Sequence, residues 1–566
     1  MKVKAVYEAR PWLKFYPEGC PSEIEIPERS VLEAFDEAAN KWGNKTAIIF
    51  YGQKISYREL KDQVNRLATA LCDLGIKKGD RVALLLLNSP QFIIAFFGAL
   101  KAGAIVTPIS PVYVSPEIKH QLVDSGTETI ICQDILWDGV EKAGVALRNV
   151  ILTNIGEYLP GLKKFLGKSV LRSVYKKMEL PSPTIYQREG FYQFQDLLKK
   201  YPPNPPKIDF SPKEDVAALP YSGGTTGLPK GVMVTHYNMI AGELLNRAIW
   251  SPPLEIGKEI LIAFAPFYHI MGLVNLMLAG LLRGWTIVLF TTPDLDEILT
   301  ACENHRATVF LGAPAVYESL REYEKTDIVD WKRFKLVLCG GDALLEDTAI
   351  GWERRTGVQL HQGFGLTETC ASGHGSPPGR PKVGPFGVPM PNYKAAVIDP
   401  NGTEFLPVGE IGELVYQGPG IMKGYWNQPE ETKNAFVEID GERWFRTGDL
   451  VTMDEEGYFT FYDRKRDMIK YKGYSVFARE IEEVLTSHPK IKEAGVIGIP
   501  DPKVGENVKA IVVLETEARG KLSEEEITKY CEERLAHYKV PRIIEFRGEI
   551  PKTDVGKVSR RELREE

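Results

Sequence analysis

The sequence predicts an α/β protein with a large N-terminal domain of α/β layers, a β-rich subdomain within it, and a small α+β C-terminal domain. Three observations point that way. Between residues 30 and 140, short continuous apolar runs alternate with segments of helical spacing, the rhythm of parallel strands covered on both faces. From about residue 394 the pattern changes to short strands separated by Gly turns, which suits a β-rich subdomain. The chain has 566 residues, and one hydrophobic core stops growing near about 250–300 residues.

The elements follow in order. VLEAFDEAANKW and SYRELKDQVNRLATALCDLG have helical spacing, and RVALLLL (81–87) reads as a short buried strand. PQFIIAFFGALKAG reads as a helix opened by Pro90 and closed by Gly103, and AIVTPI (104–109) and TETIIC (127–132) are strands. Residues 161–177, GLKKFLGKSVLRSVYKK, carry six basic residues and no acidic one. Leu162, Phe165, Leu166, Val170 and Val174 share one helical face there, with Lys163 and Lys177 intruding. Such a segment can lie on an anionic membrane surface, or it can be a solvated insertion helix.

The proline-rich connector YPPNPP (201–206) precedes a glycine-rich loop. Strands are expected at EILIAFAP (259–266), WTIVLF (285–290), ATVFLG (307–312) and KLVLCG (335–340), then at KAAVID, GELVYQ and YFTFYD. After the charged run 463–467, helix-like AREIEEVLTS and SEEEITKYCEERL alternate with strands AGVIGI, VKAIVVLE and RIIEFRG, enough for a separate core.

Composition narrows the class. Hydrophobic residues make up 43% and charged residues 26%, ordinary for a soluble globular enzyme. A net charge of −6 gives no general pull toward nucleic acid. Seven scattered cysteines with no CxxC pair argue against structural zinc and a disulfide framework, and fit a reducing cytosol. The N-terminal stretch lacks the apolar core of a signal peptide. The longest nearly apolar run, IMGLVNLMLAGLL (270–282), is shorter than the ~20 residues of a span and reads as a buried helix.

The chemistry starts at residues 221–236, YSGGTTGLPKGVMVTH. Glycines let the backbone curl, Ser222, Thr225 and Thr226 offer hydroxyls, and Lys230 adds a cation beyond Pro229. Many fixed donors with little bulk suit a polyphosphate; taken alone, the stretch also reads as a surface loop. It is not a Walker loop, because Lys230 is followed by Gly231 rather than Ser or Thr.

The order of motifs extends this reading. YSGGTTGLPKG, GGDALL (340–345), HQGFGLTET (361–369), WFRTGDL (444–450), DRKRDMIKYKGYSVFAREIEEVL (463–485) and PKTDVGKVSRREL (551–563) follow one another. In this the chain resembles the adenylate-forming superfamily of acyl-CoA synthetases, adenylation domains and beetle luciferases, most closely the medium- or long-chain fatty acyl-CoA synthetases. The resemblance implies ATP-dependent activation of a carboxylic acid to acyl-AMP with release of pyrophosphate, then transfer to CoA. Mg²⁺ would accompany ATP, and CoA would be a co-substrate. It also implies a division into residues 1–465 and a mobile domain of residues 466–566. An aryl-CoA ligase, a luciferase-like oxidase and a catalytically silent nucleotide-binding scaffold are the alternatives. A carrier-loading adenylation domain is less expected, since no carrier domain follows Leu563. The chain is expected in the cytoplasm, with 161–177 a candidate for peripheral membrane contact. A homodimer is common in the family, though no interface signal is visible.

The resemblance also assigns residues. Ser222, Gly223, Gly224, Thr225, Thr226, Gly227 and Lys230 would cradle the β- and γ-phosphates, where donors and cations offset charge. Phe364 would face adenine, Thr367 the α-phosphate, and Glu368 would hold Mg²⁺; taken alone, GLTET reads equally as a turn before a helix cap. Gly341 and Asp342 follow strand KLVLC, at the strand end where open α/β sheets bind ligands, and would run along the adenine. Asp449 suits the ribose diol and Arg464 the same ribose, although alone they read as a turn and a surface charge. Lys557, by default a solvated lysine, would bridge carboxylate and α-phosphate in the first half-reaction. Arg466 would be the hinge, where the family more often has Asp or Lys. Lys470 would serve the second half-reaction, and Gly473 would line the pantetheine tunnel. His269, by default a core residue, would sit at the acyl-pocket wall.

Overall fold

The computed structural model describes residues 2–160, 182–222, 228–250, 254–342, 344–379, 381–472, 474–552 and 558–565. The basic segment 161–177 lies outside these. The chain forms two compact units. One comprises Trp12–Lys394 and Gln417–Phe436; the other comprises Met1–Pro11, Ala395–Tyr416 and Val437–Glu566. The stretches 395–416 and 437–465 therefore fall in the unit that also holds residues 466–566.

The first unit contains two large, mainly parallel sheets. The seven-stranded sheet runs Val234–Thr235, Val216–Ala218, Ile105–Pro108, Arg81–Leu85, Thr129–Gln133, Asn149–Thr153, Phe191–Gln193, antiparallel only at its first pair. The nine-stranded sheet runs Val388–Pro389, Gly373–Gly375, His361–Gly365, Leu336–Gly340, Val309–Gly312, Ile260–Ala263, Thr286–Leu289, Thr46–Phe50, Gln53–Ser56. Its six central strands are parallel, with antiparallel strands at both edges. The sequence explains the difference: Thr129–Gln133 and Leu336–Gly340 are apolar-rich and buried throughout, whereas edge strand Gln53–Ser56 buries only Ile55. The expected strand 81–87 ends at Leu85.

Helix Pro90–Lys101 begins as expected, with Ser89 capping Phe92 N at 3.3 Å and Pro90 in its first turn. Gly98 lets helix Tyr57–Asp73 approach closely, since a Cβ there would lie 2.9 Å from Leu67 Cδ2. The run 270–282 is helical, but Gly272–Leu278 is wound as a π-helix before Ala279–Leu282 resumes the α form. Gly272 permits the entry, because a Cβ there would fall 2.0 Å from Pro266 O. Such π segments often accompany functional sites. Among the described residues, no helix is long and apolar enough to cross a membrane.

The second unit holds two five-stranded sheets. In the first, the long strand Glu442–Met453 pairs with Gly412–Gln417 and Phe459–Arg464. RTGDL lies within this strand rather than in a turn between elements; Gly448 takes φ +71 and the following residues stay paired. In the second, AGVIGI and VKAIVVLE form one long hairpin, Ile491–Asp501 with Gly505–Leu514, and Ile543–Arg547 adds in parallel. Helices Ala478–Thr486 and Glu524–Glu532 cover it, and Ile481, Leu485, Val496, Val512 and Ile527 form the core.

Candidate active site

The glycine-rich loop springs from a short antiparallel pair. Tyr221–Ser222 faces Lys230–Gly231, with Ser222 opposite Lys230 and Tyr221 opposite Gly231. Gly223, Gly224, Thr225, Thr226 and Gly227 lie outside the described residues. The base is tightly specified. A Cβ on Gly231 would meet the Tyr221 ring at 3.2 Å and Trp426 Cβ at 3.3 Å. The segment 424–426 closes the other side: Met233 N–H donates to Gly424 O at 2.9 Å and Trp426 N–H to Gly231 O at 2.8 Å. Helix Ser115–Ser125 braces both ends of the loop. Tyr221 OH donates to Asp124 Oδ2 at 2.6 Å, and His120 Nε2 lies 2.8 Å from Pro229 O.

Charges alternate at this base. Glu368, in the short turn Thr367–Thr369, accepts Ser222 Oγ–H at 2.8 Å and Tyr425 O–H at 3.1 Å on the same oxygen, Oε1. Its backbone carbonyl accepts Met422 N–H at 2.8 Å. Lys230 is 3% exposed and ion-paired to Glu431, with its ammonium 5.5 Å from the Tyr425 ring centre. Burial, with the Glu368 charge behind it, drives the Tyr425 phenol well above its ordinary pKa, so it remains a proton donor. Sequence reasoning missed Tyr425, Glu431, His120 and Asp124. GYWNQPEET carries no spacing that ties it to a loop two hundred residues earlier.

This donor set fits a hard divalent cation shared with phosphates. Among the described residues there is no group of three or more His, Cys, Asp or Glu side chains that could hold a metal alone. Mg²⁺ is commonly held by one or two carboxylates plus substrate phosphates, and Glu368 beside the loop base would be such a carboxylate.

The strand ends bring two more motifs together. Gly340 and Gly363 are paired neighbours in adjacent parallel strands, so the GGD turn and HQGFG lie side by side. Gly341 has φ +86 and Asp342 is exposed. Phe364 stacks on Phe386 at 4.3 Å and 24°, and His374 meets its edge at 6.2 Å. One face of Phe364 is thus covered by Phe386. Gly365 is obligatory here: a Cβ would lie 2.6 Å from Ala371 C. His269 is half-buried at the start of the π-containing helix, and its Nδ1 accepts Met271 N–H at 3.3 Å. One of its ring nitrogens therefore serves the helix start.

Other expected residues belong to the second unit. Asp449 and Arg464 sit opposite each other on paired strands, joined by an Nη1–Oδ1 contact of 2.6 Å. Asp449 is fully buried, and its N–H donates to Thr447 Oγ1 at 3.1 Å. Arg466 is half-exposed, with Nε 3.8 Å from Asp467 Oδ2. Lys470 is exposed on strand Ile469–Tyr471, and its N–H donates to Glu506 Oε2 at 2.7 Å. Gly473 and Lys557 lie outside the described residues.

Comparison with known proteins supplies the family. The family described as AMP-binding enzyme matches residues 35–426, and its AMP-binding enzyme C-terminal domain matches residues 480–557. A long-chain-fatty-acid–CoA ligase of Bacillus subtilis (strain 168) is 37% identical over 563 residues, 98% of each chain. One from Yersinia pestis is 36% identical over 566 residues, again 98% of each. The solved structure of ATP-bound MatB from Rhodopseudomonas palustris has a TM-score of 0.80 at 28% identity, covering 95% of this chain and 99% of that one.

Proposed function

The chain belongs to the AMP-binding enzyme family, and from that premise we propose that it is a long-chain fatty acid–CoA ligase working through an acyl-AMP intermediate. The observation that carries the reading is the pair that flanks the Gly/Thr run, where Ser222 sits opposite Lys230 and donates to Glu368 while Lys230 pairs with Glu431.

In the first half-reaction a carboxylate oxygen attacks the α-phosphorus of ATP. The new O–P bond forms as the bond to pyrophosphate breaks. Both partners are anions, so donors and cations that gather charge lower the barrier. Ser222, the loop residues 223–227 and Lys230 take the β- and γ-phosphates. Lys230 exchanges its Glu431 partner for phosphate oxygens. Glu368 would hold Mg²⁺, which when bound would supply positive charge to offset the phosphates. Thr367 orients the α-phosphate, Phe364, Gly341 and Asp342 receive adenine, and Asp449 with Arg464 holds the ribose. Lys557 bridges carboxylate and α-phosphate.

In the second half-reaction the CoA sulfur attacks the acyl carbonyl and AMP leaves. A thiol of ordinary pKa about 8.5 needs no enzyme cysteine. The described cysteines Cys132, Cys302, Cys339 and Cys370 are buried, and burial raises each thiol pKa, which suits packing rather than nucleophilic work. Residues 466–566 turn about Arg466, Gly473 lines the thiol's path and Lys470 acts in this step. His269 lies at the acyl wall, and the basic segment 161–177 touches the lipid surface that supplies the acid.

The test is acid-dependent exchange of pyrophosphate into ATP without CoA, across acetate, palmitate and benzoate. Exchange greatest with palmitate is expected. A preference for benzoate would favour the aryl-CoA alternative, and no exchange with any acid would overturn the reading.

A further inference from the structure

The charged run 463–467 is gripped from the far end of the chain. Arg560 opens the C-terminal helix Arg560–Glu565, and its guanidinium reaches three carboxylates. Nη2 and Nε contact Glu482 at 2.5 and 3.1 Å, while Nη1 lies 3.2 Å from Asp463 Oδ1 and 3.5 Å from Asp467 Oδ2. Arg564 Nη1 adds a second contact to Asp467 at 3.1 Å. Asp463 is 1% exposed and Arg560 only 16%, so solvent screens this cluster weakly.

Two of the carboxylates are further fixed by backbone N–H groups. Asp463 accepts the N–H groups of Arg464 at 2.8 Å and Arg479 at 3.2 Å, and Glu482 accepts Val496 N–H at 2.8 Å. Burial raises the carboxyl pKa of Asp463 and of Glu482, with Arg560 pulling each back. Burial likewise lowers the Arg560 pKa, but its carboxylates outweigh that and leave it above the ordinary value. A planar fork that serves several acceptors is what arginine supplies and lysine does not.

Sequence position gives the cluster its consequence. Asp463 precedes Arg466, whereas Asp467, Glu482 and Arg560 follow it. Asp463 also adjoins Arg464, which pairs with Asp449 at 2.6 Å. Arg560 stands three residues after Lys557. We propose that Arg560 is a positioning residue for the first half-reaction. By gripping Asp463 it fastens the C-terminal segment to the strand that carries Arg464, and this contact, together with the Arg479 N–H bond to Asp463, must release when the residues after Arg466 turn. The contacts to Asp467 and Glu482 lie wholly beyond Arg466 and persist through the turn. The inference rests on the acyl-AMP reading and on the roles given above to Arg464, Arg466 and Lys557.

Two variants of the full chain test it. Asp463→Asn keeps an acceptor and removes the charge, and Arg560→Lys keeps the charge and loses the fork. Each is assayed for acid-dependent pyrophosphate exchange without CoA, for acyl-CoA formation from supplied acyl-adenylate, and for its thermal midpoint. Exchange is expected to fall about tenfold in both variants, the scale of a small misplacement of positioned groups, while thioester formation stays within about twofold. Asp463→Glu, which restores the charge, recovers part of the exchange. Equal loss in both half-reactions, or loss in neither, overturns the proposal. A wild-type chain with no acid-dependent exchange sinks the acyl-AMP reading itself, and the inference with it.

Discussion

Glu368→Gln probes the loop base with the least disturbance. The wild-type carboxylate accepts two hydroxyls on Oε1, Ser222 at 2.8 Å and Tyr425 at 3.1 Å. Glutamine can keep both as neutral hydrogen bonds. A bond to a charged group is worth about 1.5–3 kcal/mol and a neutral one about 0.5–1.5, so the two changes together cost about 2–3 kcal/mol before solvent screening. Glu368 is half-exposed, which brings the cost nearer 1 kcal/mol. The chemical loss is larger. Removing one preorganised electrostatic group at a reacting phosphate costs about 10²–10³ in rate, or about 3–4 kcal/mol. The assay is pyrophosphate exchange at saturating acid across a Mg²⁺ titration, with a urea melt on the same sample. Exchange down at least a hundredfold, with a higher Mg²⁺ requirement and a nearly unchanged melt, is the expected result. An unchanged Mg²⁺ dependence would refute the assignment of Glu368 to the metal.

Other outcomes follow from the same geometry. Glu431→Gln releases Lys230 from a pair in which Glu431 is 30% exposed, worth about 1 kcal/mol, so the KM for ATP should fall about fivefold; a rise would remove Lys230 from phosphate binding. Gly231→Val drives a side chain against Tyr221 and Trp426 and should lower stability by about 1–3 kcal/mol in a denaturant melt, whereas a neutral result would contradict the tight loop base. His236 is 1% exposed, and burial pulls its pKa down to about 4 from 6.5. Because the folded value is the depressed one, its stability contribution is complete above about pH 6.5 and is lost as pH falls toward 4, by about 3 kcal/mol. Urea midpoints of wild type and His236→Gln should therefore converge through that window. Lys557→Ala should abolish pyrophosphate exchange and spare thioester formation from supplied acyl-adenylate; equal loss of both would deny it the first-step role.

The parallel strands were legible because burial on both faces writes an unbroken apolar run, as in TETIIC and KLVLCG. The capped helices were legible for similar local reasons, with Pro90 marking its start. What the sequence hid was non-local or depended on fine backbone geometry. The π-winding of Gly272–Leu278 follows from the approach of Gly272 to Pro266 O, a contact no hydrophobic pattern records. RTGDL carries turn-forming residues, yet pairing with Phe459–Arg464 keeps it in a strand. In the site, Ser222, Lys230 and Glu368 were named from motifs, and the structure brings Ser222 and Glu368 into contact. Tyr425 and Glu431 were missed because only the pairing of 424–426 with 231–233 brings them there.

The central claim is that the acid's own oxygen attacks the α-phosphorus of ATP. Palmitate labelled with ¹⁸O in its carboxylate, turned over with ATP and CoA, tests this directly by mass spectrometry of the nucleotide product. The account predicts AMP carrying one ¹⁸O. Unlabelled AMP, or label in inorganic phosphate alongside ADP, would contradict it.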